Sequence, residues 1–457
     1  MARSQRPAPS SRPRRPRTDG AGRAPGPRAA DSAADPTRLG PVLEPEGRAL
    51  LDALGDVSGQ DPLALSSRLR AAGHPPERVA AALTQAALRS RAEARLGPEA
   101  RRMLFTRDGL EQATRPLVAG LHADRLAAAG ARCVADLGCG LGLDARAFAD
   151  RGLDVVAVER DAVVAAAAEV NLAGHRGARV VHGDAVAWVR AHVPAEADAV
   201  WLDPARRQVG GGGSARVFDP EAFSPPLSVV TDIAATGVPV GVKLGPGLPH
   251  EAVPADAEAE WVSVDGDVVE AALWFNAAAR PGVRRAARVM TVRGGKTTTA
   301  QLVSGADFGD SPEVEAVGEE GMAGLVGAVL HEPDGAVIRA GLVTDLAASW
   351  PVPTRQLDPH LAYLVAPEPV RDGLARAHRI EAVHGFHLAS LRRWAKETGV
   401  GRLDVKKRGI RETPEEVRRA VLGGAKPGRR GGAGRHATLV LARVGRSRFA
   451  LEVTPLD

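Results

Sequence analysis

The sequence predicts an α/β protein built on a doubly wound, mostly parallel sheet. A helical N-terminal region precedes the sheet, and a small α/β unit closes the chain. Three observations carry this. Short Val-rich runs recur from residue 131 onward, and most are followed by segments long enough for a crossover helix. The first run ends in a glycine-rich turn, "VADLGCGLG". Helical spacing dominates residues 40–130, before the texture changes.

A chain of 457 residues is too long for one ordinary core, so two to four domains are expected. The hydrophobic share of 44% supports a folded protein, and no apolar run reaches membrane-spanning length. The arginines at the start have no apolar signal core behind them, so no secretion signal is expected. Cys133 and Cys139 lie six apart, which offers neither a disulfide framework nor a four-ligand zinc site. A reducing, cytoplasmic setting with no metal follows.

The net charge of +5 conceals segregation. Residues 1–30 carry eight arginines against Asp19, and residues 401–450 carry fourteen Lys/Arg against four acids. The middle of the chain is therefore acidic and both ends are basic. Clustered cations of this kind are the electrostatic footprint of a nucleic-acid binder. An Arg/Ala/Gly-rich coding bias would give a similar composition.

The expected divisions are a disordered basic tail at 1–38, a helical region at 39–103 and a sheet domain at 104–278. A β-rich connecting region follows at 279–377, then the C-terminal unit at 378–457. The tail is Pro/Arg/Ser-rich with almost no large apolar residues. Asp61-Pro62 reads as a cap followed by proline at the first helical position. One helix runs through "PPERVAAALTQAALRSRAEARLG" to Gly97, and another through "RDGLEQATRPLVAGLHADRLAAAG" to Gly130. The expected strands are "RCVADLG", "DVVAVE", "ARVVHGD", "DAVWLDP", "PVGVKLG" and "DVVEAALWF". "RRAARVMTVRGGKTTTAQLVS" reads as two strands around a Gly-Gly turn. It is no phosphate loop, because Met290 stands where the first glycine is required. In the last unit "FHLASLRRWAKETG" is a helix and "RLDVKKRG" a strand. "TPEEVRRAVLGG" opens with a capping box, and "HATLVLARVGRSRFALEV" is a hairpin turning near Gly445.

The chemistry concentrates at strand ends. Asp136 precedes Gly138, Gly140 and Gly142, and glycines at a strand-to-helix turn let the backbone approach a ligand. A dinucleotide site wants G-x-G-x-x-G, with pyrophosphate on the helix N-terminus. Here the third glycine comes one residue early and an acid precedes the first. The acid opposes a phosphate and suits an amine-bearing or cationic ligand. Glu159, Asp184 and Asp203 end the next three runs, and Lys243 follows in the fifth. Each also has a plain reading as a turn, cap or solvated end.

The D-x-G-x-G-x-G pattern, with acids at three further strand ends, resembles the class I S-adenosylmethionine-dependent methyltransferases. The resemblance covers about residues 104–276 and implies a Rossmann-like core with S-adenosyl-L-methionine as cofactor. It implies that Asp136, Gly138, Gly140 and Gly142 cradle the cofactor. Glu159 would take its ribose hydroxyls, and Asp184 would lie near the adenine amino group. Phe105 and Thr106, in "FTRDGLEQAT", match an upstream element that closes over the methionine end. "WLDPARR" stands where the family places D/N-P-P-x facing the substrate, so Asp203, Pro204 and Arg206 are the expected catalytic residues. Ala205 replaces the second proline and Arg206 the aromatic, a departure from the amine-methylating form. An arginine plane can still stack on a base or hold a phosphate. Both cysteines sit in or before the glycine turn, which argues against methylation of pyrimidine C5 through a cysteine nucleophile.

The last unit resembles the THUMP-like domain attached to some bacterial methyltransferases, over about residues 378–453. THUMP domains bind RNA, so the resemblance implies RNA as partner. Lys406, Lys407, Arg408 and Arg411 are the expected phosphate contacts. The expected function is methyl transfer to a nucleobase nitrogen of tRNA or rRNA. The alternatives are a small-molecule or protein methyltransferase, and a non-catalytic RNA-binding protein on the same fold.

Overall fold

The computed structural model describes residues 39–206, 220–423 and 434–456. The expected disordered tail at 1–38 and the glycines at 210–213 lie outside them. Helices α1 (Gly40–Leu43), α2 (Pro45–Leu54), α3 (Pro62–Ala71) and α4 (Pro76–Leu96) form the N-terminal region. Asp61 caps α3 by accepting from Leu63 N, and Gly97, at φ +83, ends α4. The single helix expected to close at Gly130 is two, α5 (Arg107–Gln112) and α6 (Pro116–Ala128). Pro116 holds the preceding Arg115 in an extended conformation, so the helical path breaks there.

The first sheet begins with β1 (Cys133–Leu137), β2 (Asp154–Glu159), β3 (Ala178–His182) and β4 (Ala199–Leu202). Helices α7 (Leu143–Asp150), α8 (Ala162–Leu172) and α9 (Ala185–His192) make the crossovers. Two-residue strands β5 (Ala205–Arg206) and β6 (Phe223–Ser224) pair with each other, and α10 (Leu227–Ala234) follows. The sheet is completed by β7 (Val240–Leu244), β8 (Glu258–Val264), β9 (Asp267–Phe275), β10 (Arg285–Arg293) and β11 (Lys296–Ser304). Its order is β11-β10-β8-β9-β7-β4-β1-β2-β3. Pairing is parallel from β3 through β2, β1 and β4 to β7, and antiparallel where β9 joins β7 and β8. After β3 the chain crosses back over β1 to reach β4. The strand order reverses at β1, and doubly wound sheets bind ligands in the crevice outside the carboxyl ends of the strands at such a point, here β1 and β4.

Strand β8 was not among the expected strands. Glu258 and Glu260 give it a polar look, yet all seven of its residues are buried. Arg125 lies 2.8 Å from Glu258 and 3.0 Å from Glu260, and Arg280 and Arg288 complete the pairing. Buried carboxylates persist where they are paired and hydrogen-bonded in this way.

Helices α11 (Gly318–Gly321), α12 (Gly335–Arg339), α13 (Val343–Ser349), α14 (Leu388–Glu397) and α15 (Pro414–Leu422) accompany a second sheet. Its strands are β12 (Val329–Pro333), β13 (Arg355–Asp358), β14 (Leu361–Ala366), β15 (Ala375–Gly385), β16 (Val400–Arg408), β17 (Arg435–Val444) and β18 (Ser447–Pro455). The order is β13-β14-β12-β15-β18-β17-β16. Residues 279–377 thus divide between the two sheets: β10 and β11 extend the first, β12 to β14 open the second. Thr413 and Glu416 form the expected capping box on α15. The sheets share one core, in which Ala336, Leu342 and Trp350 join Trp261 and Val289 of the first sheet. Among the described residues no helix is long and apolar enough to cross a membrane.

The floor beneath the crevice is tightly packed. A Cβ placed on Gly241 of β7 would stand 2.6 Å from the Trp274 ring and 2.7 Å from the Trp201 ring. Overpacking of this kind costs about 1–3 kcal/mol, so Gly241→Ala is expected to lower unfolding stability by that amount in denaturant titration.

Candidate functional site

The site is built where β1 and β4 end side by side. The turn after β1 requires positive φ at Gly138 (+80°), Gly140 (+54°) and Gly142 (+78°), a region L side chains rarely adopt. Gly138 N and Cys139 N both donate to Val158 O, which ties the turn to β2. A Cβ on Gly140 would meet nothing within 4 Å, and one on Gly138 would meet only Asp203 O at 3.8 Å. These two glycines therefore face open space. Gly142 does not: its Cβ would stand 3.3 Å from Leu172, so its task is close packing of the turn on α8.

Asp136, the last acid before the turn, is 1% exposed and its Oδ2 has no hydrogen-bond partner. Burial pushes its carboxyl well above the usual carboxylate range, with Asp144 and Asp203 adding to the push. Glu159 sits half-buried at the end of β2, where its oxygens accept from Gly140 N at 3.1 Å and Asp161 N at 2.8 Å. Asp184 caps α9 by accepting from Ala187 N at 2.9 Å and is otherwise exposed. Phe105 is fully buried in the helical-region core, its backbone held at both ends by the Gln85 amide. Thr106 caps α5 through Gly109 N. The structure thus brings Asp136, Gly138, Gly140, Glu159 and Asp203 together. Phe105, Thr106 and Gly142 serve local structure beside them.

Asp203 follows β4 with its side chain 35% exposed, and Pro204 behind it is buried. The backbone of Arg206 pairs with Phe223. Lys243 of β7 places Nζ 2.5 Å from Asp203 Oδ2 and 2.9 Å from Thr114 Oγ1. Thr114 donates to Asp144 Oδ2 at 2.7 Å. Asp144 Oδ1 lies 2.8 Å from His122 Nδ1, and His122 Nε2 lies 2.7 Å from Glu270 Oε1. The imidazole is 1% exposed and stacks on Trp201 with centroids 4.1 Å apart.

Reading the sequence missed this chain beyond Lys243. Glu270 did leave a signal, an acid inside the apolar run "VVEAALWF". His122 and Asp144 are unremarkable within their helices.

Burial pulls the His122 pKa down, but the Glu270 charge and the hydrogen bonds to Asp144 and Glu270 outweigh it, raising it to about 9. Burial would raise Asp144, yet the bond to His122 and the charges of His122 and Lys243 bring it below its ordinary value. Burial also raises Asp203; Lys243 opposes this, while Asp144 and Glu270 add to it.

In the second domain Lys406 Nζ lies 2.5 Å from Glu332, so this expected phosphate contact is held within the protein. Lys407 Nζ donates to the carbonyls of Ile410 and Arg411. Arg408 stands 4.0 Å from Glu332 and over the Tyr363 ring. Arg411 is exposed, with no ion pair among the described residues.

A doubly wound sheet with an acid-lined glycine turn at its switch point defines a Rossmann-like nucleoside-cofactor enzyme. Two Mycobacterium tuberculosis proteins, the uncharacterized S-adenosylmethionine-dependent methyltransferases MT3122 (strain CDC 1551 / Oshkosh) and Rv3037c (strain ATCC 25618 / H37Rv), are each 33% identical over 334 residues. Each match spans 71% of this chain and 82% of the relative. The chain belongs to the S-adenosylmethionine-dependent methyltransferases, and S-adenosylmethionine is its cofactor. A family described as THUMP domain-like matches residues 375–455, and a domain of unknown function (DUF8688) matches residues 35–92. A Porphyromonas gingivalis W83 crystal structure described as that of a methyltransferase has the same fold, with TM-score 0.72 and 19% identity. That match covers 91% of this chain and 99% of the other. The orphaned Asp136 oxygen, the open glycine turn and the surplus of acids fit a cofactor carrying a sulfonium and an ammonium.

The raised His122 sets a pH dependence. A group whose pKa rises on folding stabilises fully below its unfolded value, near 6.5, and that stabilisation is lost as pH climbs through about 9. Stability against thermal unfolding is expected to fall between pH 7 and 10 by about 2–3 kcal/mol. His122→Gln should flatten that limb while lowering stability at pH 7.

Proposed function

We propose that this methyltransferase acts on RNA, tRNA or rRNA, and transfers the methyl group in line to a nucleobase nitrogen. The observation that carries the reading is a half-buried carboxylate, Asp203, at the mouth of the cofactor crevice in a chain that also carries a THUMP-like domain. Bound S-adenosylmethionine supplies an electrophilic methyl group on a sulfonium. Asp136, Gly138, Gly140 and Glu159 hold the cofactor, with Asp184 at the edge of the crevice. Their acids favour its positive charge, and the fixed turn sets its direction; orientation of this kind accounts for up to about 7–11 kcal/mol of a barrier in ideal cases. Among the described residues no hydrogen bond reaches Asp203 Oδ1, so this oxygen is open to accept an N–H from the acceptor nitrogen. That bond directs the nitrogen lone pair at the methyl group, and the carboxylate then takes the proton the nitrogen sheds. Pro204 fixes the turn, and Arg206 stands next along the rim.

The test is transfer of labelled methyl from S-adenosylmethionine to fractionated tRNA and rRNA lacking their native modifications, with nuclease and protease controls. Asp203→Ala is expected to lower the rate by about 10²–10⁴-fold with cofactor affinity retained. Asp136→Asn is expected to weaken cofactor binding about tenfold or more in calorimetry. Label that survives nuclease and is lost to protease would point to a protein substrate.

Contact with RNA falls to the cations not engaged inside the domain. Arg411→Glu should weaken retention of tRNA on a filter across all sequences. It should also reduce the slope of log affinity against log salt by about one phosphate contact. Lys406→Met should leave that slope unchanged, because Lys406 is paired with Glu332.

A further inference from the structure

Lys243 is held from behind as firmly as it holds Asp203 in front. Thr114 has one hydroxyl proton, and it goes to Asp144 Oδ2 at 2.7 Å. The hydroxyl lone pair therefore faces Lys243 Nζ, 2.9 Å away. Asp144 is fixed in turn by His122, and His122 by Glu270. The anchors lie on α6, α7 and β9, three elements of the first domain's core. With Nζ in that grip and 2.5 Å from Asp203 Oδ2, the carboxylate cannot rotate without breaking a charge-assisted bond.

We propose that Lys243 is a positioning residue for methyl transfer: it pins Oδ2 of Asp203 so that Oδ1 alone faces the acceptor, and the buried chain Thr114–Asp144–His122–Glu270 keeps its ammonium in place. This rests on the reading of Asp203 as the acceptor-facing acid. It goes beyond that reading by assigning the group that aims and charges the acid.

The proposal has an electrostatic consequence. Among the described residues Asp136 from β1, Asp144 from α7 and Glu270 from β9 act on the Asp203–Lys243 pair, and His122 from α6 stands behind Asp144 and Glu270. Burial raises Asp203, and Asp144 and Glu270 raise it further, while the opposing contributions come from Lys243. Taking away the ammonium and leaving the acids must raise the proton affinity of Asp203 further. A lysine that merely filled space would leave it unchanged.

The experiment uses the full chain labelled with ¹³C-aspartate. The Asp203 carboxyl resonance is assigned by its absence in Asp203→Asn and followed against pH in wild type, Lys243→Met and Thr114→Val. Lys243→Met is expected to raise the Asp203 proton affinity about tenfold or more. Thr114→Val, which loosens the grip but keeps the charge, is expected to move it in the same direction by less. The acid limb of kcat/KM for methyl transfer to unmodified RNA should move upward in pH by the same amounts.

A Lys243→Met protein that folds, binds S-adenosylmethionine and keeps the wild-type Asp203 titration overturns the proposal. If Lys243→Met does not fold, Thr114→Val carries the test, and an unmoved titration there overturns it equally. Full activity in Asp203→Ala would instead overturn the reading of Asp203. Loss of activity in Asp203→Ala with an unmoved titration in Lys243→Met overturns the lysine assignment alone.

Discussion

A buried imidazole between two carboxylates holds the floor of the crevice. His122 reaches Asp144 on one side and Glu270 on the other, and its face lies on Trp201. Three elements that meet nowhere in sequence, α6, α7 and β9, are joined through a single ring. Without its proton the ring would leave two buried acids facing one neutral group, and desolvation would then dominate. The raised His122 pKa is the signature of that constraint. The position of Asp144 follows from it, then the position of Thr114, then that of Lys243.

The same helix is fastened a second time. Arg125 lies one turn beyond His122 on the same face and spans Glu258 and Glu260 of β8. The Arg125 guanidinium also stacks over Trp274, which neighbours Trp201. Helix α6 therefore meets the sheet through two sets of buried charge with aromatic rings between them. A paired buried charge adds little net stability over an apolar contact, but it tolerates only one arrangement. That directional demand is what fixes the position of α6 against the sheet.

How much of this was legible depended on whether the cause was local. The glycine turn, the acids at the ends of β1, β2 and β4, the cap at Asp61 and the capping box at Thr413 are fixed by neighbours a few residues away, and each was readable. Strand β8 was hidden because Glu258 and Glu260 find their arginines 133 and 135 residues upstream and 20 to 28 residues downstream. The helix broken at Arg115-Pro116 was a local feature passed over, since its apolar spacing continues across the break. Lys243 was visible as a lone cation at a strand end. Its partners were not, because Thr114 stands 129 residues away and the chain behind it closes over 148.

The basic run of the second domain shows how a one-dimensional charge pattern can mislead. Strand β16 stands four places from β12 in the sheet order, about 19 Å on a flat sheet at ~4.8 Å per strand. Lys406 on β16 nevertheless meets Glu332 on β12 at 2.5 Å. The sheet must curl, and its concave side is filled by Leu330, Tyr363, Val440 and Val444. Lys406 closes the mouth of that curl and is spent on doing so. Arg411, in the loop that follows β16, stays exposed outside that closure. Because Ala336 of α12, with Leu342 and Trp350 on either side of α13, is buried in the core of the first sheet, the two sheets are joined by packing and not by a tether alone.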